Sequence, residues 1–304
     1  MSQGGQQQGD FSSKSFSLLT YNVNFSICKI RNGQLKARSS ACKVLQALKE
    51  VLPDAIALQE TNEGWEALWS GDDFLSGSYQ GVWHHRGAAG GQAFLLKKEN
   101  GWQITDHRMV NTRRHVEGSW FEQLTVLLTR TAPPPVVSSE KQNSLPHSTS
   151  DTQIRIVCVH LRPPKGWMAA TSQTRADELE YTLQNWNVDE TQGTESTDMG
   201  RPALVCGDFN ECEGYKALAL LQSKYGLRNG LAEHDPQKET MSVDVPLLWG
   251  LFTWHRTFRL DHIFYSPLQL SCDECRVVRG YEEGASDHQP VVGVFTLNQI
   301  SSPT

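Results

Sequence analysis

The chain has 304 residues, 38% of them hydrophobic and 20% charged. That is enough apolar material for a sizeable core and too little charge for global disorder. A formal charge of −6 argues against holding long nucleic acid through a uniformly basic surface, although a local basic groove is compatible with an acidic whole.

Residues 1–14 are polar and rich in Gln, Gly and Ser, and read as a disordered tail. Residues 16–21 form a first apolar strand ending at Asn22-Val23-Asn24. Ala41, Val44, Leu45, Leu48, Val51 and Leu52 recur at helical spacing, and Pro53 stops that helix. A buried strand follows at 54–60 and ends in Glu60. Further strands are expected at 79–84, 92–97, 102–110, 121–130 and 154–161. Between the last two lies 132–153, with three consecutive prolines and many Ser and Asn residues. It reads as a mobile hairpin insertion within one domain, because the motif set is split across it.

The spacing of Ala176, Leu179, Leu183 and Trp186 predicts a second amphipathic helix over 172–186. After a polar loop at 189–201, a strand at 203–206 ends at Gly207-Asp208-Phe209-Asn210. A helix over 215–224, a strand over 258–265, the triplet Ser286-Asp287-His288 and a last strand over 291–295 complete the domain, which spans 15–298 before a short tail at 299–304. No internal repeat is visible. Many strands with interspersed helices imply two packed sheets with helices outside.

Seven cysteines are an odd number, and Cys42, Cys158 and Cys206 fall in apolar runs, so reduced, buried thiols are expected. Cys272 and Cys275 form a lone CxxC, without the second pair that a zinc site requires. There is no secretory signal and no stretch near the ~20 apolar residues of a membrane span. The expectation is a soluble, intracellular monomer.

Asn22, Glu60, His160, Asp208, Asn210, Asp287 and His288 all lie at or just past the ends of apolar strands, where a rigid scaffold presents reactive groups. Each has an ordinary explanation alone: a solvated carboxylate for Glu60, a turn for Asp208 and Asn210, a half-buried histidine for His160. Together they suggest a site. Glu60 is a hard oxygen ligand of the kind Mg²⁺ prefers. Asp208 and Asn210, two residues apart, point the same way in an extended stretch and suit a water and a phosphate oxygen. Asp287 and His288 supply a carboxylate and an imidazole. Asp261, charged within a strand-like run, either discourages edge pairing or orients His288. Arg113, Arg114, Arg162 and Lys165 could meet further phosphates or be ordinary surface charges. Trp167, Trp249 and Trp254 could stack on bases or pack in the core.

The ordered series Tyr21-Asn22, Leu58-Gln59-Glu60, Val159-His160-Leu161, Gly207-Asp208-Phe209-Asn210, Arg259-Leu260-Asp261 and Ser286-Asp287-His288 resembles the endonuclease/exonuclease/phosphatase superfamily over residues 16–297. The resemblance implies an α+β fold, a four-layer αββα sandwich of two mainly antiparallel sheets with helices on the outer faces. It implies Mg²⁺ or Mn²⁺ held chiefly by Glu60, with Asn22 beside it and Asp287 contributing directly or through water. Asp208 and Asn210 would surround the attacking water and the phosphate, His288 would pair with Asp261, and His160 would contact the phosphoryl group. His160 stands where apurinic-site endonucleases carry tyrosine, which argues against that branch. Asn24 stands where many members carry an acidic residue, so a substrate-facing amide replaces a charge there; Arg162 is a second substrate-binding candidate. The implied activity is hydrolysis of a phosphate ester, with DNA or RNA as leading substrate. The alternatives are a small or lipid-derived phosphate, or a non-catalytic binding module on the same fold.

Overall fold

A computed structural model describes residues 15–87, 89–130, 152–165, 168–186, 202–247, 252–280 and 285–298. Both tails, 132–151 of the expected insertion and the loop expected at 189–201 lie outside the described residues. Thr152 and Gln153, placed in the insertion on sequence grounds, begin a strand.

The first half opens with β1 (Ser15–Asn22), a short hairpin of β2 (Cys28–Arg31) and β3 (Gln34–Ala37), and α1 (Ser39–Val51). Ala41, Val44, Leu45 and Leu48 form the buried face of α1; Leu52 caps it in the left-handed conformation, donating its N–H to Leu48 O, ahead of Pro53. The chain then forms β4 (Ala55–Thr61), α2 (Glu63–Ser70) and α3 (Asp73–Ser78). The edge strand β5 (Tyr79–His84) and its inner neighbour β6 (Gly91–Lys97) follow. In the second half, β7 (Trp102–Val110), β8 (Gln123–Arg130) and β9 (Thr152–His160) are consecutive antiparallel neighbours. Helix α4 (Ser172–Asn185) carries the chain to β10 (Leu204–Asp208). After α5 (Lys216–Ser223) come β11 (Arg228–Asn229) and α6 (Gly230–His234). A separate hairpin pairs β12 (Met241–Leu247) with β13 (Phe252–Phe258). Last are β14 (Asp261–Tyr265), β15 (Leu270–Val277) and β16 (Val291–Leu297).

Two six-stranded sheets result, ordered β15-β16-β1-β4-β6-β5 and β11-β14-β10-β9-β8-β7. All large-sheet pairings are antiparallel except the central pairs β1·β4 and β9·β10, which are parallel. A parallel pair needs a crossover, supplied by α1 in one sheet and α4 in the other. One apolar cluster fills the space between the sheets, including Phe16, Phe94, Leu124, Ile156, Ile263 and Phe295. A second lies under α1 and α2, and a third under α4 and α5. These are the four layers of the αββα sandwich.

Three sequence expectations are corrected. The strand read over 258–265 is two strands, β13 and β14, broken at Arg259 and Leu260. Strands read from 121 and to 161 are shorter, running from Gln123 and to His160. Cys42 is exposed, on the outer face of α1, whereas Cys158 and Cys206 are buried as expected; all seven thiols are free.

The topology decides where the chemistry can sit. Parallel neighbours end at the same rim, so the C-terminal ends of β1, β4, β9 and β10 come together. The antiparallel strands β14 and β16 begin at that rim.

Candidate active site at the strand-end rim

Four strand ends deliver Asn22, Glu60, His160 and Asp208 to one place. The amide of Asn22 joins the two sheets, its Nδ2 donating to Glu60 Oε1 at 3.2 Å and to Asp208 Oδ2 at 3.0 Å. Glu60 sits in the left-handed region at φ +58°, where β4 slips register against β6 between Gln59 and Thr61. This bulge re-aims the side chain of residue 60. Its other oxygen accepts the N–H of Phe25 at 3.2 Å.

Asp208 depends on the glycine before it. Gly207 has φ +138°, and a Cβ there would lie 2.0 Å from the Val159 carbonyl oxygen of the adjacent strand; only glycine lets β10 approach β9 so closely. Asp208 Oδ1 accepts the N–H of Asn210 at 2.7 Å. Asn210, itself left-handed at φ +50°, donates through Nδ2 to Leu161 O at 2.9 Å. Both side chains are buried.

Asp261 starts β14 directly opposite Asp208 in the ladder. Thr240 Oγ1 accepts the N–H groups of Leu260 and Asp261, each at 3.0 Å, and so fixes the strand start. His288 lies between the two carboxylates: its Nδ1 is 2.8 Å from Asp261 Oδ2, and its Nε2 is 3.8 Å from Asp208 Oδ2. Ser286 donates its hydroxyl to Asn22 O at 2.8 Å and accepts the N–H of His288 at 3.2 Å, locking this segment to the end of β1. Asp287 is exposed at the mouth and accepts from Asn24 Nδ2 at 3.0 Å. His160 Nε2 is 3.8 Å from both Glu60 Oε1 and Asp208 Oδ2, and its ring stacks on Phe121, centroids 4.0 Å apart.

Burial and charge separate the protonation states of these groups. Burial pushes the Asp208 carboxyl up to about 7, with Asp261 adding to the rise and His288 and the Asn22 and Asn210 bonds opposing it. Burial alone would lower His288, but the carboxylates of Asp261, Asp208 and Asp287 outweigh it and raise the imidazole to about 10. Burial lowers His160 to about 3, helped by repulsion from His288. Burial also raises Glu60 against its bonds from Phe25 and Asn22. The rim therefore holds one imidazolium, one neutral imidazole and an excess of carboxylates with no balancing cation among the described side chains.

That donor set fits a hard divalent ion. Each Glu60 oxygen accepts one hydrogen bond, leaving capacity on a carboxylate that offers about four lone-pair directions. Asp208, Asp261 and His288 also offer ligand atoms within 4.8 Å of one another. Asp261 and His288 are engaged with each other, however, and an imidazolium has no lone pair for a metal. Glu60, with Asn22 and Asp287 near it, is the better seat.

Nine of the ten residues expected on sequence grounds meet at this rim. Arg162 stands to one side, with its guanidinium 4.9 Å from the centre of the Trp120 ring and Nη1 donating to Gly118 O. Trp167 and Trp249 lie outside the described residues, as does the side chain of Trp254. Thr240, Ser286, Phe121 and Trp120 were missed. Ser286 was legible as the neighbour of Asp287-His288; Thr240 and Phe121 act through folding geometry that no local pattern announces.

Residues 19–288 match the profile of the Endonuclease/Exonuclease/phosphatase family. No curated protein sequence matches significantly. Among solved structures, the chain is similar to D. rerio TDP2 complexed with single strand DNA product, at 15% identity and TM-score 0.60, covering 92% of this chain and 98% of that one. It is similar to the human Nocturnin catalytic domain with bound sulfate anion, at 19% identity and TM-score 0.60, covering 94% and 95%. A functionally unknown conserved protein from Enterococcus faecalis V583 matches at 14% identity and TM-score 0.62, covering 93% and 100%.

Proposed function

The chain belongs to the endonuclease/exonuclease/phosphatase family of phosphate-ester hydrolases, and on that premise we propose that it is a Mg²⁺- or Mn²⁺-dependent phosphodiesterase acting on nucleic acid. One observation carries the reading: the Asn22 amide bridges the Glu60 and Asp208 carboxylates while His288, held by Asp261, faces Asp208. The DNA product bound by D. rerio TDP2 on the same fold favours nucleic acid over a lipid-derived ester.

Glu60, with Asn22 and Asp287 near it, would hold the ion, which supplies charge neutralisation at the phosphate when bound. Asp208 accepts a hydrogen bond from the attacking water and takes its proton; a carboxyl near 7 is matched to that task. Asn22 and Asn210 hold that carboxylate in place. His288 carries its proton across the neutral range, so it acts as a donor from Nε2 to a phosphoryl oxygen and stabilises charge as it develops. Neutral His160, pinned on Phe121, contacts the phosphoryl group by hydrogen bonding alone. In-line attack forms the new P–O bond from the water oxygen as the bond to the leaving oxygen breaks; the leaving alkoxide takes a proton from solvent water, and Asp208 releases the proton it took to solvent.

The test is hydrolysis of single-stranded DNA, RNA, an inositol phosphate and sphingomyelin, with Mg²⁺, Mn²⁺ or EDTA. Nucleic acid turnover that EDTA abolishes is expected. Asp208→Asn should lower kcat by about 10²-fold or more, on the order expected for a lost general base, and Glu60→Gln should raise the metal concentration needed for half-maximal rate. Full activity in both variants, or in EDTA, would refute the assignment.

A further inference from the structure

We propose that Trp120 and Arg162 form a stacking platform for a nucleobase next to the scissile phosphate, which makes the preferred substrate a base-bearing single strand. This inference rests on the hydrolytic reading above and adds a specificity element to it. Trp120 is 50% exposed, one of five large hydrophobic side chains open to solvent among the described residues. One aromatic neighbour separates it from the catalytic groups: Phe121 meets Trp120 edge-on, centroids 6.4 Å apart, and stacks on His160. Arg162 packs against the indole at 4.9 Å from its centre. With a guanidinium on the ring and half of the side chain exposed, the indole can take a further planar group, and cation–π contact favours that geometry.

The platform is held rather than loose. The backbone N–H of Arg162 donates to Glu178 Oε2 at 2.9 Å, and the Ser119 hydroxyl and the Trp120 backbone face the same buried carboxylate. Arg175, fully buried, donates to Arg162 O at 3.4 Å. Thr112 Oγ1 closes the base of the loop through Phe121 O and Ser119 Oγ. Glu178 is a buried carboxylate that hydrolysis does not use and that holds this shelf; Arg175 reaches the shelf only through Arg162 O, its shorter bonds going to Thr171 Oγ1 and Met168 O. Arg113 and Arg114 are exposed on the same loop, and His115 beside them stacks on Tyr181 at 4.7 Å. Cations interleaved with rings beside the rim are what a single strand requires.

The experiment compares an oligothymidylate with an equally long strand of abasic tetrahydrofuran residues, for wild type, Trp120→Ala and Trp120→Phe. Wild type should favour the base-bearing strand by about tenfold in KM. That preference should collapse toward one in Trp120→Ala, with kcat moving less than KM, and return in Trp120→Phe. An intact preference in Trp120→Ala would overturn the platform and leave the hydrolytic reading standing. If wild type cleaves neither strand, fluorescence anisotropy decides. Binding of the oligothymidylate that Trp120→Ala weakens would support the platform while hydrolysis of nucleic acid falls; binding insensitive to Trp120, or none, would overturn it.

Discussion

Replacing Asp261 by asparagine tests the imidazole pair with little change of shape. Two unit charges about 4 Å apart at an effective dielectric near 20 attract by ~4 kcal/mol, or about 3 pKa units. His288 Nδ1 lies 2.8 Å from Asp261 Oδ2, and its imidazole is raised to about 10. Removing one charge should therefore bring His288 to roughly 7. At pH ~8.5 the variant would retain only about 3% imidazolium, so the ratio of its kcat/KM to that of wild type should fall about thirtyfold between pH ~6 and ~8.5, while wild type itself rises as Asp208 ionises through about 7. The stability linkage has a matching sign. A raised imidazole contributes stability that is complete below its ordinary value of 6.5 and lost as pH climbs through about 10, and the Asp261→Asn substitution should shrink that alkaline loss. The assays are a pH–rate profile at saturating Mg²⁺ and an NMR titration of the ring. If Asp261→Asn loses activity by the same factor at both pH values, or leaves the His288 titration within about one unit of wild type, the pair does not work as a charged donor.

Two further outcomes follow from buried groups around the rim. Gly207→Ala should cost about 3 kcal/mol or more in urea unfolding, because its Cβ would meet Val159 O at 2.0 Å; wild-type stability and turnover would contradict the close approach of β9 and β10. Burial lowers His262 from 6.5 to about 4, so it stays neutral in the native state while the unfolded chain takes up a proton. Stability is then whole above about 6.5 and lost as pH falls toward about 4, by up to ~3 kcal/mol. Urea midpoints at pH ~7.5 and ~5 should show a smaller acid loss in His262→Gln; an equal loss would remove His262 as its source.

The parts of the fold that were legible in the sequence are the ones whose burial is one-sided or complete. Strands β1, β4 and β10 read as apolar runs because both faces are covered, and α1 read as a helix because Ala41, Val44, Leu45 and Leu48 share one buried face. The edge strands β5 and β7 were read at their observed bounds, but other edge and surface elements escaped for want of an apolar run. Strand β15 carries Asp273, Glu274 and Arg276 on a solvent-facing edge and shows no apolar run. The β2·β3 hairpin has only exposed residues in its second strand, although Asn32 and Gly33, both with positive φ, are a hairpin turn signal. Helix α2 is short and depends on Asn62, whose side chain caps Gly64 and Trp65. The site was legible as polar residues where apolar strands stop. Trp120 was not, since nothing local distinguishes a ring beside the rim from one in the core.

The deeper reason why residues as distant as Asn22 and His288 meet is that the two sheets repeat one topology, although the sequence shows no repeat. Strand, helix and parallel strand recur as β1-α1-β4 and β9-α4-β10, each flanked on both sides by antiparallel partners. Asn22 thus corresponds to His160, and Glu60 to Asp208, as the ends of equivalent strands. The starts of the flanking strands correspond as well: His288 ahead of β16 matches Phe121 ahead of β8, and Asp261 at the head of β14 matches Gln92 near the head of β6. The chemistry breaks this symmetry. In one set of positions Asp261 charges His288; in the other Gln92 donates to Glu122 O at 2.7 Å and Phe121 packs on His160. Equivalent scaffolding therefore yields a protonated imidazole on one side of the carboxylates and a neutral one on the other. A symmetric rim would repel or attract a phosphate equally from both sides. This one presents donor and charge on the His288 side and the Phe121 ring, with Trp120 and Arg162 beyond it, on the His160 side, so the two approaches to the carboxylates are chemically different.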